Sequence, residues 1–452
     1  MRLVYLDGLS SSALFYFASL NTPMRTYTFP IIASLLLVAA TGHAQLKNIQ
    51  LEGGANPPVS GPAIAINPRI PGNIVATAGS GRLYKTSDGG VTWTPSQMSS
   101  MKTGNGLLIC DRKGTFYHFH VSDALTSGIP TDGKFDQIVC QVSGDGGQSW
   151  GMGNPIGFSP PKNQTRPWAT VDDKENVYLV WTQFDRYKDD NPNCQSTIML
   201  SRSANGKKWS RPQQISQTPG DCNDSDNSAL GATPAVSADG RTFVSWANQS
   251  RIFIDRSFDG NVWLTNDIGV TNQPGGSDFK VPGCSTASGG VPVLIADRTK
   301  TQMRGSLYLL WSDQRNGPDD TDVWLMRSAN FGDYWTSPVK VNNDDGGKHQ
   351  YLPSMALDQA TGYLYVVFYD RRAHDDNHTD VYLAYSINGG ASFVNVRISE
   401  TPFLPGDNVS AGYATAISAH KGVITPIWTR VDNGKFSTWT AVIKQEDLLK
   451  IK

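Results

Sequence analysis

Two short runs in this 452-residue chain hold the residue types best suited to gripping an anion. Trp311-Ser-Asp-Gln-Arg315 and Phe368-Tyr-Asp-Arg-Arg372 align residue for residue, and each closes an apolar stretch with Asp-x-Arg. Arg166, Asp185-Arg186 and Arg430 stand at neighbouring positions of the repeat described below. Guanidinium groups converging there would hold a carboxylate or sulfate through two parallel N–H donors. A second reading uses the same residues without a ligand: Asp313 pairs with Arg315 and Asp370 with Arg372, and both pairs pin loops. His349, Gln350 and Tyr351, followed by His374 and His378, bring imidazoles and a phenol together, which is equipment for abstracting a proton. His118 and His120 form a further pair. Hydrogen-bonded structural histidines are the plainer account of all of them, and their spacing fits no metal-ligand motif. The acidic runs Asp319-Asp-Thr-Asp322 and Asp375-Asp376 with Asp380 offer oxygens to Ca²⁺ but lack EF-hand spacing, so no metal or other cofactor is assigned.

Composition limits what can position these side chains. Charged residues are 17%, below the roughly 25% of an average globular chain, while Gly and Pro number 44 and 26. Of 40 acids only four are Glu (Glu52, Glu175, Glu400 and Glu446), leaving 40 − 4 = 36 Asp. Asp, Asn, Gly and Pro build turns, so extensive helix is not expected. A net charge of −1 argues against nucleic acid as a partner, which would need a basic surface.

At the N-terminus, Arg25 precedes the apolar run Ile31 to Ala40 and then Gly42-His-Ala44, the pattern of a signal peptide cut after Ala44. Met24 would start a signal of ordinary length by itself. No later segment is apolar enough to span a bilayer, so the expected product is residues 45–452, a single domain, secreted or periplasmic, with no transmembrane segment. Five cysteines leave at least one unpaired. Cys194 and Cys222 fall in two Asp- and Asn-rich loops at the same end of one repeat and are expected to form a disulfide. Cys284 could compete for Cys222, whereas Cys110 and Cys140, on strands that are not neighbours, read as buried thiols.

One element recurs six times: Thr86 to Trp93, Ser143 to Trp150, Ser203 to Trp209, Ser257 to Trp263, Ser328 to Trp335 and Ser386 to Phe393. In each, Asp or Asn can fold onto nearby amides, Gly can take a positive φ, and the final aromatic can bury itself. These segments resemble the Asp-box (S-x-D-x-G-x-T-W), or BNR, repeats of the sialidase-like propeller superfamily. The resemblance implies a β-propeller in which the repeated Asp residues are structural.

A second signature opens each unit, an apolar alternation from Pro to Asp or Asn. It starts at Pro62, Pro167, Pro234, Pro292 and Pro353, with Gly106 and Tyr413 as degenerate copies. The predicted fold is therefore all-β, a seven-bladed propeller of four-stranded blades, here called strands A to D. A six-bladed ring would require the Gly106 or Tyr413 start to be spurious. Strand B of most units is expected to end in an aromatic (Phe119, Trp181, Trp246, Trp311, Phe368, Trp428). The last unit lacks a fourth strand, so residues 47–51 are expected to close the ring against 440–444.

In this architecture the A–B and C–D turns share one face, and the longer B–C and D–A loops share the other, where ligands usually bind. The resemblance also implies a test of function. Sialidases hold their substrate's carboxylate with three arginines, the first in an [FY]-R-I-P motif at the opening of strand A, and use an Asp acid/base and a Tyr activated by Glu. Here Arg69-Ile-Pro71 falls in an A–B turn on the wrong face, and the residues two before each strand-A start (Ser60, Gly104, Thr165, Ala232, Gly290, Tyr351 and Ala411) include no Arg. The first expectation is an exported propeller that binds an anionic glycan or glycoconjugate through Arg166, Asp185, Arg186, Asp313, Arg315, His349, Tyr351, Asp370, Arg372 and Arg430. The second is an enzyme, either a divergent exo-alpha-sialidase or a uronate-directed lyase, since His with Tyr resembles the equipment of propeller-type polysaccharide lyases.

Overall fold

The computed structural model describes residues 46–55, 61–78, 80–96, 104–123, 134–284, 289–405, 414–432 and 434–451, so the expected signal segment lies outside the described residues. The chain forms seven antiparallel sheets arranged as the blades of a ring. Blade five shows the plan, with strands Val293–Ala296, Leu307–Asp313, Asp322–Ser328 and Val339–Lys340 side by side in chain order. Strand B is buried at every residue in blades three to six, because both of its faces meet a neighbouring blade. That is why these strands read as continuous apolar runs and do not alternate. Strand D is short and half-exposed at the rim.

The strand-B aromatics sit mid-strand and not at its end: Trp181 lies within Val177–Phe184 and Trp311 within Leu307–Asp313. All are fully buried between blades, where replacing one by Ala costs about 3 to 5 kcal/mol. The six repeated turns join strands C and D. In the first, the Asp88 carboxylate accepts from Thr86 Oγ1 (2.7 Å), Thr92 N (3.0 Å) and Thr92 Oγ1 (2.6 Å), so its lone pairs are committed to the turn. In the fourth, the amides of Val262 and Asn261 hold the Asp259 carboxyl at about 2.

The register corrects the sequence reading in three places. In blade three Thr165 faces Thr182 and Trp168 faces Val180, whereas in blade four Leu230 faces Ala247 and Thr233 faces Ser245. Ala232, not Pro234, therefore matches Pro167, and Leu230 takes the place given to Ala232 in the arginine test. In blade seven Thr415 pairs with Trp428, which puts the start two residues beyond Tyr413. In both blades the apolar alternation runs past the strand's functional start, so a shift by two preserves the pattern and hides the error. Ring closure is real but uses other partners. Ile49–Ala55 pairs with Lys435–Thr440, from Ile49 opposite Thr440 to Ala55 opposite Phe436. Phe436, Thr438 and Thr440 form the buried side of strand C. Ile443–Lys444 turns back to pair with Val423 and Ile424, and a single helical turn, Gln445–Leu448, follows.

Candidate functional site

The seven A strands surround a central cavity of about 570 Å³. Blade three contributes Arg166 at its B–C/D–A mouth. A bulge between Thr165 and Trp168 places Arg166 at φ 51°, a left-handed conformation that costs a non-Gly residue about 1 kcal/mol or more. Blade four meets the equivalent requirement with Gly231 at φ 65°. The bulge turns the Arg166 side chain toward the mouth, where it remains 34% exposed.

Arg166 Nη1 forms an ion pair with Asp224 Oδ1, and the other Asp224 oxygen accepts from the Tyr187 hydroxyl at 2.6 Å. Burial pushes the Asp224 carboxyl up, but the Arg166 charge, its hydrogen bond and Tyr187 outweigh this, and the group sits below the usual carboxylate range. Burial and the neighbouring Asp224 charge both raise the Tyr187 phenol, so it stands as a proton donor and not as a phenolate. Tyr187 packs edge-on to Phe184 at 5.3 Å, with the Lys188 ammonium 5.3 Å from the centre of its own ring. Among the described residues, Arg166 Nε and Nη2 donate to nothing.

The loop that carries Asp224 also carries Asp226, whose Oδ1 accepts from the Asp278 amide at 2.9 Å and from the Ser277 amide. Asp226 lies so close over Gly276 that a Cβ there would fall 1.8 Å from its Oδ2. Burial, the hydrogen bond that the protonated Asp278 carboxyl donates to Asp226, and the Asp226 charge push the Asp278 carboxyl up to about 6. The Cys194–Cys222 disulfide, with Cα atoms 5.6 Å apart, ties the two loops that bracket this cluster. Sequence reasoning missed Tyr187, Asp224, Asp226 and Asp278. The available signal was the run Asp221-Cys-Asn-Asp-Ser-Asp226 beside a bridged cysteine.

The other expected residues are placed differently. Arg315 is two-pronged on Asp313, with Nε to Oδ1 at 2.9 Å and Nη2 to Oδ2 at 2.6 Å, and its guanidinium lies 4.6 Å from the Trp324 ring centre. Arg372 donates through Nε to Asp370 Oδ2 at 2.7 Å and through Nη2 to Asn395 at 2.9 Å. Asp313 and Asp370 are fully buried. Arg430 is two-pronged on Asp432 at 2.7 and 2.6 Å. Asp185 pairs with Lys162 at 2.9 Å, and Arg186 is exposed with no ion pair among the described residues. His349 and Tyr351 are buried, at 7% and 1% exposure. The His349 ring bonds Thr321 Oγ1 at 3.0 Å, and burial and Arg371 pull its pKa down to about 4. Tyr351 is covered by Phe279 and Val281 of the long loop before blade five, and burial pushes its phenol up to about 12. His374 and His378 bond Asp380 and Asp376, each at 2.9 Å. Among the described residues no three His, Cys, Asp or Glu side chains gather as metal ligands.

Solved structures similar to this chain include a Hadza microbial sialidase, at 14% identity and TM-score 0.48, covering 83% of this chain and 73% of that one. A Trypanosoma rangeli sialidase in complex with sialic acid matches at 13% identity and TM-score 0.43, over 79% of this chain and 56% of that chain, so the present chain spans little more than half of it. A Penicillium chrysogenum alpha-L-arabinanase complexed with arabinobiose matches at 14% identity and TM-score 0.44, over 75% and 98%. No family model and no curated protein matches the sequence.

Proposed function

We propose that the Arg166 mouth of the channel binds an anionic glycan and that the protein is an exported carbohydrate-binding propeller. The observation that carries this reading is the uncommitted Nε/Nη2 edge of Arg166, which faces an open cavity while Asp224 holds the other edge. A guanidinium edge is the natural partner of a carboxylate or sulfate, and the Trp168 ring in the same cavity offers a flat surface to a sugar. The disulfide fits an oxidising compartment, and no helix among the described residues is long and apolar enough to cross a membrane. A glycan array probed with the wild-type protein and Arg166→Gln tests the reading. Binding confined to sialylated, uronate-bearing or sulfated glycans and lost in the variant supports it, whereas silence or equal binding of neutral glycans overturns it.

The Asp226–Asp278 pair favours a second reading, a glycoside hydrolase of the exo-alpha-sialidase kind. Two adjacent carboxyl groups, one with its pKa raised to about 6, are acid/base equipment. Release of free sialic acid by the wild type and not by Asp278→Asn would establish turnover and displace the binding-only account. The uronate-lyase reading loses its support, because His349 and Tyr351 are buried.

A further inference from the structure

The opposite mouth of the channel opens among the A–B turns, and two arginines meet there on one carboxylate. Arg112 Nη2 lies 2.8 Å and Arg298 Nε 3.3 Å from the same Oδ1 of Asp173. The other nearby acids are committed. Asp172 accepts from the amides of Lys174 and Asn176 and from Asn176 Nδ2, each at 2.8 Å, and Asp358 accepts from the amides of Ala360, Lys421 and Gly422. Two guanidiniums therefore share one carboxylate oxygen of Asp173, with the charge of Asp172 close by.

Arg298 is the more constrained of the two, with a side chain only 14% exposed. Its Nη1 donates to Val171 O at 2.7 Å, its Nε is buried without an aligned acceptor, and its Nη2 donates to nothing among the described residues. Burial lowers its pKa; the attraction of Asp173 exceeds the repulsion of Arg112, and together with Asp172 it offsets part of that burial effect. His420 borders the same opening, with its proton affinity reduced by burial and by Lys421 and Arg112. Behind this cationic rim the cavity wall is apolar, built from Ile66, Leu108, Trp168, Leu294 and Leu357. Trp168 packs against two core clusters and lines the same cavity.

We infer that this mouth binds an amphipathic monoanion, an alkyl or aryl carboxylate whose head lies on the Arg298 and Arg112 guanidiniums and whose apolar body runs into the channel. A carboxylate here accepts from the Nη2 of Arg298, which donates to nothing among the described residues, and from the exposed guanidinium of Arg112. The apolar body displaces water from a wall that gives it no hydrogen bonds. The site is distinct from the Arg166 mouth and does not rest on the glycan reading.

Titration calorimetry of the full chain with octanoate, and with 1-octanol as its uncharged analogue, tests the inference. One octanoate should bind per chain, at least tenfold more tightly than octanol. Arg298→Gln should weaken octanoate about tenfold while leaving octanol unchanged. Because Arg298 is nearly buried, Arg112→Gln, at a side chain 54% exposed, provides a variant that keeps the fold and should give a smaller loss in the same direction. Arg166→Gln should leave octanoate binding intact. Equal binding of octanoate and octanol, no octanoate binding at millimolar concentration, or unchanged affinity in both Arg298→Gln and Arg112→Gln would overturn it.

Discussion

In blades five, six and seven an arginine closes on an aspartate two residues away: Arg315 on Asp313, Arg372 on Asp370 and Arg430 on Asp432. In blade three Arg166 reaches an aspartate 58 positions along the chain, in a loop held by a disulfide. In blades five and seven the pair uses both prongs of the guanidinium, in blade six Arg372 divides its donors between Asp370 and Asn395, and in blades five and six the carboxylate is set in the core. The long-range pair uses one prong and leaves the other edge at the channel mouth. Arginines that look equivalent in sequence thus divide into those that fasten a loop and one that has donors to offer.

The largest expected effect lies on the open side. Cys194→Ser with Cys222→Ser removes a cross-link spanning 28 residues, for which chain entropy predicts a loss of about 3.5 kcal/mol in denaturant unfolding. Glycan binding should fall with it, because the bridge brackets Asp224. An unchanged midpoint would mean that Phe184, Leu230 and their neighbours hold the loops without the bridge.

On the fastened side, Asp370→Ala leaves Arg372, 16% exposed, without its charge partner and should cost about 3 kcal/mol of stability with no change in glycan affinity. Asp313→Ala should behave alike, somewhat more mildly because Arg315 is 22% exposed. If either change abolished binding while melting stayed put, the two sides would have to exchange roles. Arg166→Gln should show the converse, a tenfold loss of affinity, or about 1.4 kcal/mol, with a melting shift smaller than that of Asp370→Ala.

The smallest effect is a titration. Asp226→Asn should lower the Asp278 midpoint from about 6 toward the ordinary aspartate value, read by carboxyl NMR. The sign follows from the raised native pKa. The folded chain keeps this proton longer than the unfolded chain, so the linked stability is full below the unfolded pKa and is lost as pH rises through about 6. A midpoint that stays near 6 in the variant would assign the shift to burial alone.

The blade plan was legible because each unit repeats the same turn chemistry and the same buried strand. Ser257-Phe-Asp-Gly-Asn-Val-Trp263 turns as its cognates do despite missing a residue. Cys194 and Cys222 were legible because the repeat put their loops at one end of a blade. The mouth cluster was not, since Tyr187, Asp224 and Asp278 come from three loops whose approach depends on how blades three to five pack. The burial of Tyr351 was hidden for the same reason: the residues that cover it, Phe279 and Val281, belong to a loop before the preceding blade.

The joint at Ile49 and Thr440 carries a consequence for synthesis. Every other blade can assemble from contiguous chain as it leaves the ribosome, but this one joins residues 391 positions apart (440 − 49), so its inner strands wait for a partner made first and left idle. Until the two meet, the edge of Lys435–Thr440 and the back of Ile49–Ala55 are open templates for the wrong strand. A short peptide matching residues 46–55, supplied during refolding, would compete for that edge and report how long the ring stands open.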